Sequence, residues 1–377
     1  MRSLKVMTWI HLDPRKLGTI EEYCYFLSRE LAARGHSSLL AFSKAPPDWL
    51  KEYFHSAGAA ITIIDRTVMV STGIRLIKTV ADNRVDIIHC TFLPVISGLN
   101  VFMRLSSTDK VIVSDQASRV CGTRSPIGRP IRYLRSKLLS PLIDLIIADA
   151  EYLRKSLIED FYVSPDKIVT LYNGVNLDRF TPAQDGTAIR EEFKIDPDAP
   201  VITAIAWLIF EKGLDVYLKA APKVLEVFPR AVFLVVGDGP LLDDLKELAR
   251  TLNIADHVVF TGLRNDTHKI LAAADIAVLL SRWEEAFSFS MLEAMASGRP
   301  LVATTKGAIP EAVEHGKTGL LVPPEDPNAV ADALIKLLDD KAALKEIGNA
   351  ARRKCQDHYD IRKMVKNTVD LYESFYR

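Results

Sequence analysis

The segment from Ser281 to Val302 reads SRWEEAFSFSMLEAMASGRPLV and sets two carboxylates, Glu285 and Glu293, on either side of a helix start. The helix is short, apolar on one face and closed by Gly298-Arg299-Pro300. A helix start offers backbone N–H groups with no partner inside the helix, which suits an anion. Carboxylates beside it accept hydrogen bonds from hydroxyls. A ligand with both phosphate and hydroxyls fits that set, and a sugar nucleotide is such a ligand. Glu293 has a purely structural alternative, because Ser290-Met291-Leu292-Glu293 matches a capping box in which the glutamate bonds the N–H of the capping serine. Glu285 has a plainer one, as a solvated loop glutamate beside Glu284.

Two other loops carry compatible chemistry. Trp207-Leu208-Ile209-Phe210-Glu211-Lys212-Gly213 lies between a strand and a helix start, and Lys212 there can reach a diphosphate as a point charge. A solvated lysine at a helix start has the same local sequence. Gly237-Asp238-Gly239-Pro240 allows a tight turn and the close approach of a ligand, although an ordinary strand-to-helix turn uses the same residues.

The elements that must position these loops alternate along the chain. Strand patterns at Leu4–Ile10, Ser38–Phe42, Ala60–Ile64, Asp86–Cys90, Lys110–Ser114 and Leu142–Ala148 are separated by helical stretches, the first from about Thr19 to Arg34. Such alternation means βαβ units and a parallel sheet, and apolar runs such as Val111-Ile112-Val113 fit strands covered on both faces. The pattern breaks at the polar stretch Thr181–Gly186 and restarts with Val201–Trp207, Ala231–Val236, Val258–Thr261 and Ile276–Ser281, with helices over Gly213–Phe228 and Leu241–Leu252. We therefore expect an α/β fold of two Rossmann-like domains: residues 1–185, and residues 186–359 holding the three loops. An amphipathic last helix within 360–377 is expected to dock back onto the first domain. In open α/β sheets ligands lie beyond the carboxyl ends of the strands, where all three loops fall.

A chain of 377 residues with 48% hydrophobic residues has enough apolar mass for two cores. Its formal net charge of +0 gives no whole-molecule field for nucleic acid. The four cysteines, Cys24, Cys90, Cys121 and Cys355, are scattered without CxxC pairing, as expected of reduced thiols in a cytoplasmic protein. No apolar run is long enough to span a bilayer, and Lys5–Ile10 reads as a first strand instead of a signal peptide. No paired-aspartate motif is placed to hold a metal, so metal-independent chemistry is expected.

The second half of the chain resembles the donor-binding half of the family-four glycosyltransferases, retaining enzymes of the GT-B fold. Their Glu-x7-Glu pattern is matched by Glu285 and Glu293 within EEAFSFSMLEAMASGRPLVAT. EKGLD (Glu211–Asp215), VVGDGP (Val235–Pro240), FTGLR (Phe260–Arg264), AADIAVLLS (Ala273–Ser281) and AIPEAVEHGKTGLLVPPED (Ala308–Asp326) match as well. Leu27–Ser37 and Leu171–Pro182 are similar in the first half. The resemblance implies two facing domains with the active site in the cleft between them. It implies that Glu293 accepts the ribose hydroxyls, that Glu285 lies near the donor sugar, and that the backbone N–H groups of Phe287, Ser288 and Phe289 bind sugar hydroxyls or phosphates. Lys212 would neutralise the diphosphate, whose charge grows as it leaves. The backbone around Leu263 and Arg264 would meet the base, and Gly18 would let the chain approach the phosphate or acceptor.

The sequence departs from the family pattern at four places. Trp207 stands where an arginine usually forms a second diphosphate clamp, and indole cannot replace a bidentate cation. Leu17 replaces the first of two glycines, Ser288 replaces a glycine, and Ser114, followed by Asp115, stands where a strand-end histidine is expected. His89 ends another strand and reads as a packed histidine. Ser114, Asp115 and Arg119 are the candidate acceptor-side residues.

Arg119, Arg124, Arg129, Arg132, Arg135 and Lys137 occur with no acid between Asp115 and Asp144. Such a run reads as a solvated helix face or as a surface for a phosphorylated acceptor or an anionic lipid headgroup.

The expected activity is transfer of a hexose-type sugar from a UDP- or GDP-type donor to a hydroxyl of a glycan, lipid-linked or small-molecule acceptor, with retention at the anomeric carbon. Two alternatives keep the fold: an epimerase or phosphorylase, and a non-catalytic sugar-nucleotide-binding partner subunit, which Trp207 and Ser114 motivate. A nicotinamide dehydrogenase is disfavoured, because Gly237-Asp-Gly-Pro lacks the third glycine of that fingerprint.

Overall fold

The structure is a computed structural model and describes residues 2–65, 68–118 and 128–377. The chain forms two compact units: Met1–Ala117, Gly122–Gly174 and Ile361–Arg377 in the first, Ser118–Cys121 and Val175–Asp360 in the second.

The first unit runs β1 (Lys5–Ile10), α1 (Thr19–Ala33), β2 (Ser37–Phe42), α2 (Asp48–Ser56), β3 (Ala59–Ile63), α3 (Met69–Asn83) and β4 (Ile87–Thr91). It continues through α4 (Leu99–Leu105), β5 (Lys110–Asp115), α5 (Arg129–Leu139), β6 (Leu145–Ala148), α6 (Glu151–Glu159) and β7 (Ile168–Thr170). The strands make one parallel sheet in the order β3-β2-β1-β4-β5-β6-β7. Central strands such as β4 are buried from end to end, which is why they read as continuous apolar runs. By the right-handed rule for parallel crossovers, α1 and α2 cover one face of the sheet and α3, α4 and α5 the other.

The second unit runs α7 (Thr187–Glu192), β8 (Val201–Ile205), α8 (Leu214–Val227), β9 (Val232–Val236), α9 (Leu242–Thr251), β10 (Val258–Gly262), α10 (Thr267–Ala273) and β11 (Ile276–Leu279). It ends with α11 (Phe289–Ala296), β12 (Leu301–Thr304), α12 (Ile309–Ala312), β13 (Gly319–Val322), α13 (Pro327–Asp339) and α14 (Lys341–His358). Its parallel sheet has the order β10-β9-β8-β11-β12-β13. Phe233, Val235, Ile276, Val278 and Val302 pack with Tyr217 and Leu334 in its main core. The reversal of strand order between β8 and β11 opens a crevice beyond the strand ends, the place where such sheets bind ligands.

The last helix, α15 (Ile361–Ser374), belongs to the first unit and packs on α1. Ile361, Val365, Val369 and Tyr372 complete the core of that unit, and Arg34 holds Asp370 at 2.6 Å. The change of unit falls between Gly174 and Val175, ahead of the boundary expected after residue 185. The reason is local: Val175 N donates to the Tyr359 carbonyl at 2.8 Å, Phe180 is buried, and Arg352 holds the carbonyls of Leu177 and Phe180. The polar stretch Thr181–Gly186 is therefore a surface turn of the second unit.

Candidate active site

After β11 the chain makes the loop Leu280–Ser288 and enters α11. Phe287 is buried and sets its ring against Tyr359 at 5.0 Å, which fixes where the helix can begin. Ser288 is extended at ψ 128° and stands in the N-cap position, so the first helical residue is Phe289. The capping box that the spacing allowed as an alternative at Ser290 is therefore absent: Ser290 is helical, and Glu293 lies two residues beyond the N3 position. Glu293 is instead a buried acid in an otherwise apolar stretch. Such burial is rare for glutamate without a specific role.

Glu285 is not a solvated loop residue either, being only 2% exposed. One carboxylate oxygen accepts from Lys212 Nζ, from Ser281 Oγ and, at 3.0 Å, from the indole N–H of Trp283. The other accepts from Ser118, which clusters with the second unit, at 3.0 Å. Burial pushes the carboxyl upward, but the Lys212 ammonium and the Ser281 and Trp283 donors outweigh it and hold the group below its usual range. The backbone is fixed as tightly. Ala308 N donates to the Glu285 carbonyl at 2.9 Å, and Gly307, at φ +57°, passes so close that a Cβ there would stand 2.1 Å from the same oxygen.

Lys212 sits in a single 3-10 turn, Phe210–Lys212, ahead of α8. Arg282 holds that turn. Its guanidinium donates to the Phe210 carbonyl at 2.7 Å, grips Asp215 with two nitrogens, reaches Glu325 at 3.0 Å and lies 4.2 Å over the Phe210 ring. Burial raises the Asp215 carboxyl, yet Arg282 and Lys219 bring it down to about 2. The Trp283 ring lies 5.0 Å from the Lys212 ammonium, so the same residue that donates to Glu285 also faces the cation.

Around this centre, Trp207 and Leu263 are exposed after β8 and β10. Arg264 turns its guanidinium onto Glu192 (2.6 and 2.9 Å) and Asp266 (2.8 Å). For Gly237 the sequence left open a close ligand approach or an ordinary turn. Its positive φ of 138° brings the chain against the Ala206 carbonyl, which a Cβ would approach to 1.9 Å. The glycine here packs two loops together.

In the first unit, Gly18 stands at the N-cap of α1, and its N–H is held by the Glu21 carboxylate at 2.9 Å. Ser114 and Asp115 are buried at the end of β5, and the Ser114 hydroxyl lies 2.7 Å from His89 Nε2. The other His89 nitrogen lies 2.6 Å from the Tyr372 hydroxyl, and burial pushes the imidazole down to about 3, so it is neutral. Arg119 and Arg124 lie outside the described residues. Among the described residues there is no cluster of three metal-ligating side chains, and no helix is long and apolar enough to cross a membrane.

The structure thus brings Glu285 and Lys212 into direct contact, with Phe287 and Ser288 in the loop that leads into α11 and Phe289 and Glu293 on that helix. Ser281, Trp283, Arg282 and Gly307 complete the arrangement and were not read from the sequence. Gly307 had a signal only as a glycine, a residue type that marks turns. Ser281 closes the matched stretch Ala273–Ser281 without a role of its own there, and Arg282 and Trp283 lie beside a recognisable motif without belonging to it.

Residues 20–179 match the family described as Glycosyltransferase Family 4, and residues 185–354 match Glycosyl transferases group 1. The chain belongs to the family-four glycosyltransferases of the GT-B fold. Among its relatives is a GDP-mannose-dependent alpha-(1-6)-phosphatidylinositol monomannoside mannosyltransferase of Mycobacterium tuberculosis, 26% identical over 90% of each chain. Another is the N-acetyl-alpha-D-glucosaminyl L-malate synthase of Bacillus anthracis, 33% identical over 56% of this chain and 55% of that one. The Anabaena protein HepE, solved with UDP and glucose, shares the fold at a TM-score of 0.81, with 18% identity over 98% of this chain and 100% of that one. By its family the protein is a glycosyltransferase.

Proposed function

We propose that this chain transfers a hexose-type sugar from a UDP- or GDP-type donor to an acceptor hydroxyl, with retention at the anomeric carbon. The observation that supports it most is the buried Glu285–Lys212 pair next to the start of α11, with Glu293 one turn further on. In this reading Glu293 accepts the ribose hydroxyls. The N–H groups of Phe287, Ser288 and Phe289 meet sugar hydroxyls or phosphate, and the backbone at Leu263 and Arg264 meets the base. Lys212 has three N–H bonds and shares them between Glu285 and the diphosphate, whose charge rises as the bond to the anomeric carbon breaks. The acceptor oxygen bonds to that carbon from the same face, and its proton passes to the departing phosphate oxygen. No metal is required, since Lys212 and the helix start neutralise the phosphate.

The acceptor is proposed to be a glycan, a lipid-linked intermediate or a small molecule, as with relatives whose names specify phosphatidylinositol mannoside, L-malate or a diphosphoundecaprenol acceptor. Ser114, Asp115 and Arg119 are the proposed acceptor-side residues, and Gly18 a proposed backbone contact. The proposed location is the cytoplasm, at the inner face of the membrane.

Calorimetric titration with UDP, GDP, ADP and their sugar conjugates tests the donor site. Glu293→Ala is expected to weaken binding of the preferred nucleotide about tenfold or more, with thermal unfolding little changed. Unchanged affinity would remove Glu293 from the site. Anomeric NMR of the product decides retention. One observation favours a second reading, a binding subunit without turnover: Trp207 is exposed where the family's clamp arginine stands. Tight nucleotide binding with no transfer to any acceptor in a broad panel would establish that reading.

A further inference from the structure

The carboxyl ends of β8, β9 and β10 hold two apolar side chains that the phosphate chemistry does not use. Trp207 follows β8 and is 62% exposed, and Leu263 follows β10 and is 70% exposed. β9 lies between those strands, and its end continues into Gly237-Asp238-Gly239. Gly237 N donates to the Gly262 carbonyl at 3.0 Å, and Leu208 N donates to the Asp238 carbonyl at 2.9 Å. Leu263 and Trp207 are the chain neighbours of these bonded residues, so they stand on opposite sides of the glycine loop. That loop has no room for larger residues at its glycines. A Cβ on Gly237 would meet the Ala206 carbonyl, and one on Gly239 would stand 2.6 Å from the Leu208 carbonyl oxygen. The Asp238 carboxylate turns back onto Gly239 N at 2.8 Å. The backbone beside Trp207 is fixed as well: Ile209 N donates to the Trp207 carbonyl at 2.9 Å, and Leu241 N to that of Leu208 at 3.1 Å.

β8 and β10 lie two strand spacings apart, about 10 Å. A flat ring held between two apolar side chains needs about 7–8 Å, twice the usual contact distance. The spacing therefore suits one aromatic ring system lying above a floor of backbone. An indole left in water forgoes about 150–250 Å² of burial, which a stacked ligand restores. We propose, on the donor reading above, that Trp207 is the stacking platform for the donor's nucleobase, with Leu263 against the base's other face. Affinity that a second cation would supply through charge comes here from contact. Every base has a π-face, so the platform itself tolerates any of them, and discrimination between bases is left to the backbone at Leu263 and Arg264.

The full chain is titrated calorimetrically with UDP, GDP, uridine and guanosine, and its indole emission is followed in parallel. The preferred nucleotide is expected to quench Trp207. Trp207→Ala should weaken that nucleotide and its nucleoside about tenfold, the alanine-substitution cost of one stacked base. The factor should be the same at low and high salt, because stacking involves no ion pair. Trp207→Phe keeps an aromatic face, so its affinity should stay within about threefold of the parent while the Trp207 part of the quenching disappears. Both variants should melt with the parent, since the side chain they change is exposed. Equal affinity of Trp207→Ala and the parent, full quenching in Trp207→Phe, or an effect of Trp207→Ala that vanishes at high salt would overturn the proposal. If nucleotide binding is then still lost in Glu293→Ala, the donor site stands without the platform. Nucleotide binding that survives Glu293→Ala and is weakened by Trp207→Ala would keep the platform and remove Glu293. A parent that binds no nucleotide or nucleoside would overturn both.

Discussion

At the scale of single residues, Glu285 shows what folding does to a charge. The carboxylate is taken out of water, and Lys212, Ser281, Trp283 and Ser118 replace the lost hydration. Removing one partner of such a buried pair leaves the other uncompensated. Lys212→Met should therefore cost about 3–5 kcal/mol of stability besides abolishing transfer, measurable by urea unfolding. Trp283→Phe is milder. It keeps the ring beside the cation and deletes one hydrogen bond, so a stability loss of about 1 kcal/mol is expected. A several-fold fall in kcat with little change in donor KM would mark Trp283 as a positioning residue, whereas a change in KM alone would place it in donor binding. Glu285 and Lys212 were legible in the sequence as separate motif residues. Their contact was not, because it joins loops far apart in the chain. Trp283 was invisible, since an aromatic beside a motif reads as a loop residue until its N–H is seen to point at the acid.

At the scale of elements, the loops of the second unit are tied to each other more than to their own strands. Arg282 links the turn before α8 to Asp215 and Glu325, and Gly307 and Gly237 allow backbones to touch. Asp215 is held at about 2 in the folded protein, below its ordinary carboxylate value. A lowered folded value stabilises the protein above the unfolded value and loses that contribution as pH falls through the folded one. The Asp215 contribution should therefore be intact at pH 5 and disappear between about pH 4 and pH 2. Asp215→Asn should cost about 2 kcal/mol at neutral pH and flatten that part of the acid-unfolding curve. An unchanged curve would show that Arg282 does not depend on Asp215. Gly307→Ala should be harsher, because left-handed backbone costs a side chain about 1–2 kcal/mol even before the clash with Glu285. The alternation of strands and helices was legible, since buried parallel strands are apolar throughout. β7, β12 and β13 escaped because three or four residues carry too little pattern to stand out from a buried helix or loop. The capping-box alternative at Ser290 could not be dismissed from the sequence, because spacing alone cannot say that Phe287 is anchored on Tyr359 and that the helix starts at Phe289.

At the scale of the whole molecule, both units were legible from the restart of the alternation. The point of change was not, because the residues from Val175 to Phe180 are held by Tyr359 and Arg352 from the far end of the second unit. The last helix makes the same point for the first unit. Tyr372 reaches His89 at 2.6 Å, and His89 reaches Ser114 at 2.7 Å, so a residue near the end of the chain secures the middle of a sheet that begins at Lys5. Tyr372→Phe should leave a buried imidazole nitrogen without its partner and cost about 1–3 kcal/mol, seen as a lower melting temperature while nucleotide affinity stays unchanged. The arrangement also sets a timetable. As the ribosome delivers the chain, residues 1–174 emerge first but cannot close their core, because Ile361, Val365, Val369 and Tyr372 do not yet exist. The later-made second unit, nearly continuous from Val175 to Asp360, can complete itself before the earlier one, the reverse of the usual order of domain folding during synthesis. Until those last turns are translated, the apolar face of α1 that meets α15 stays without its partner.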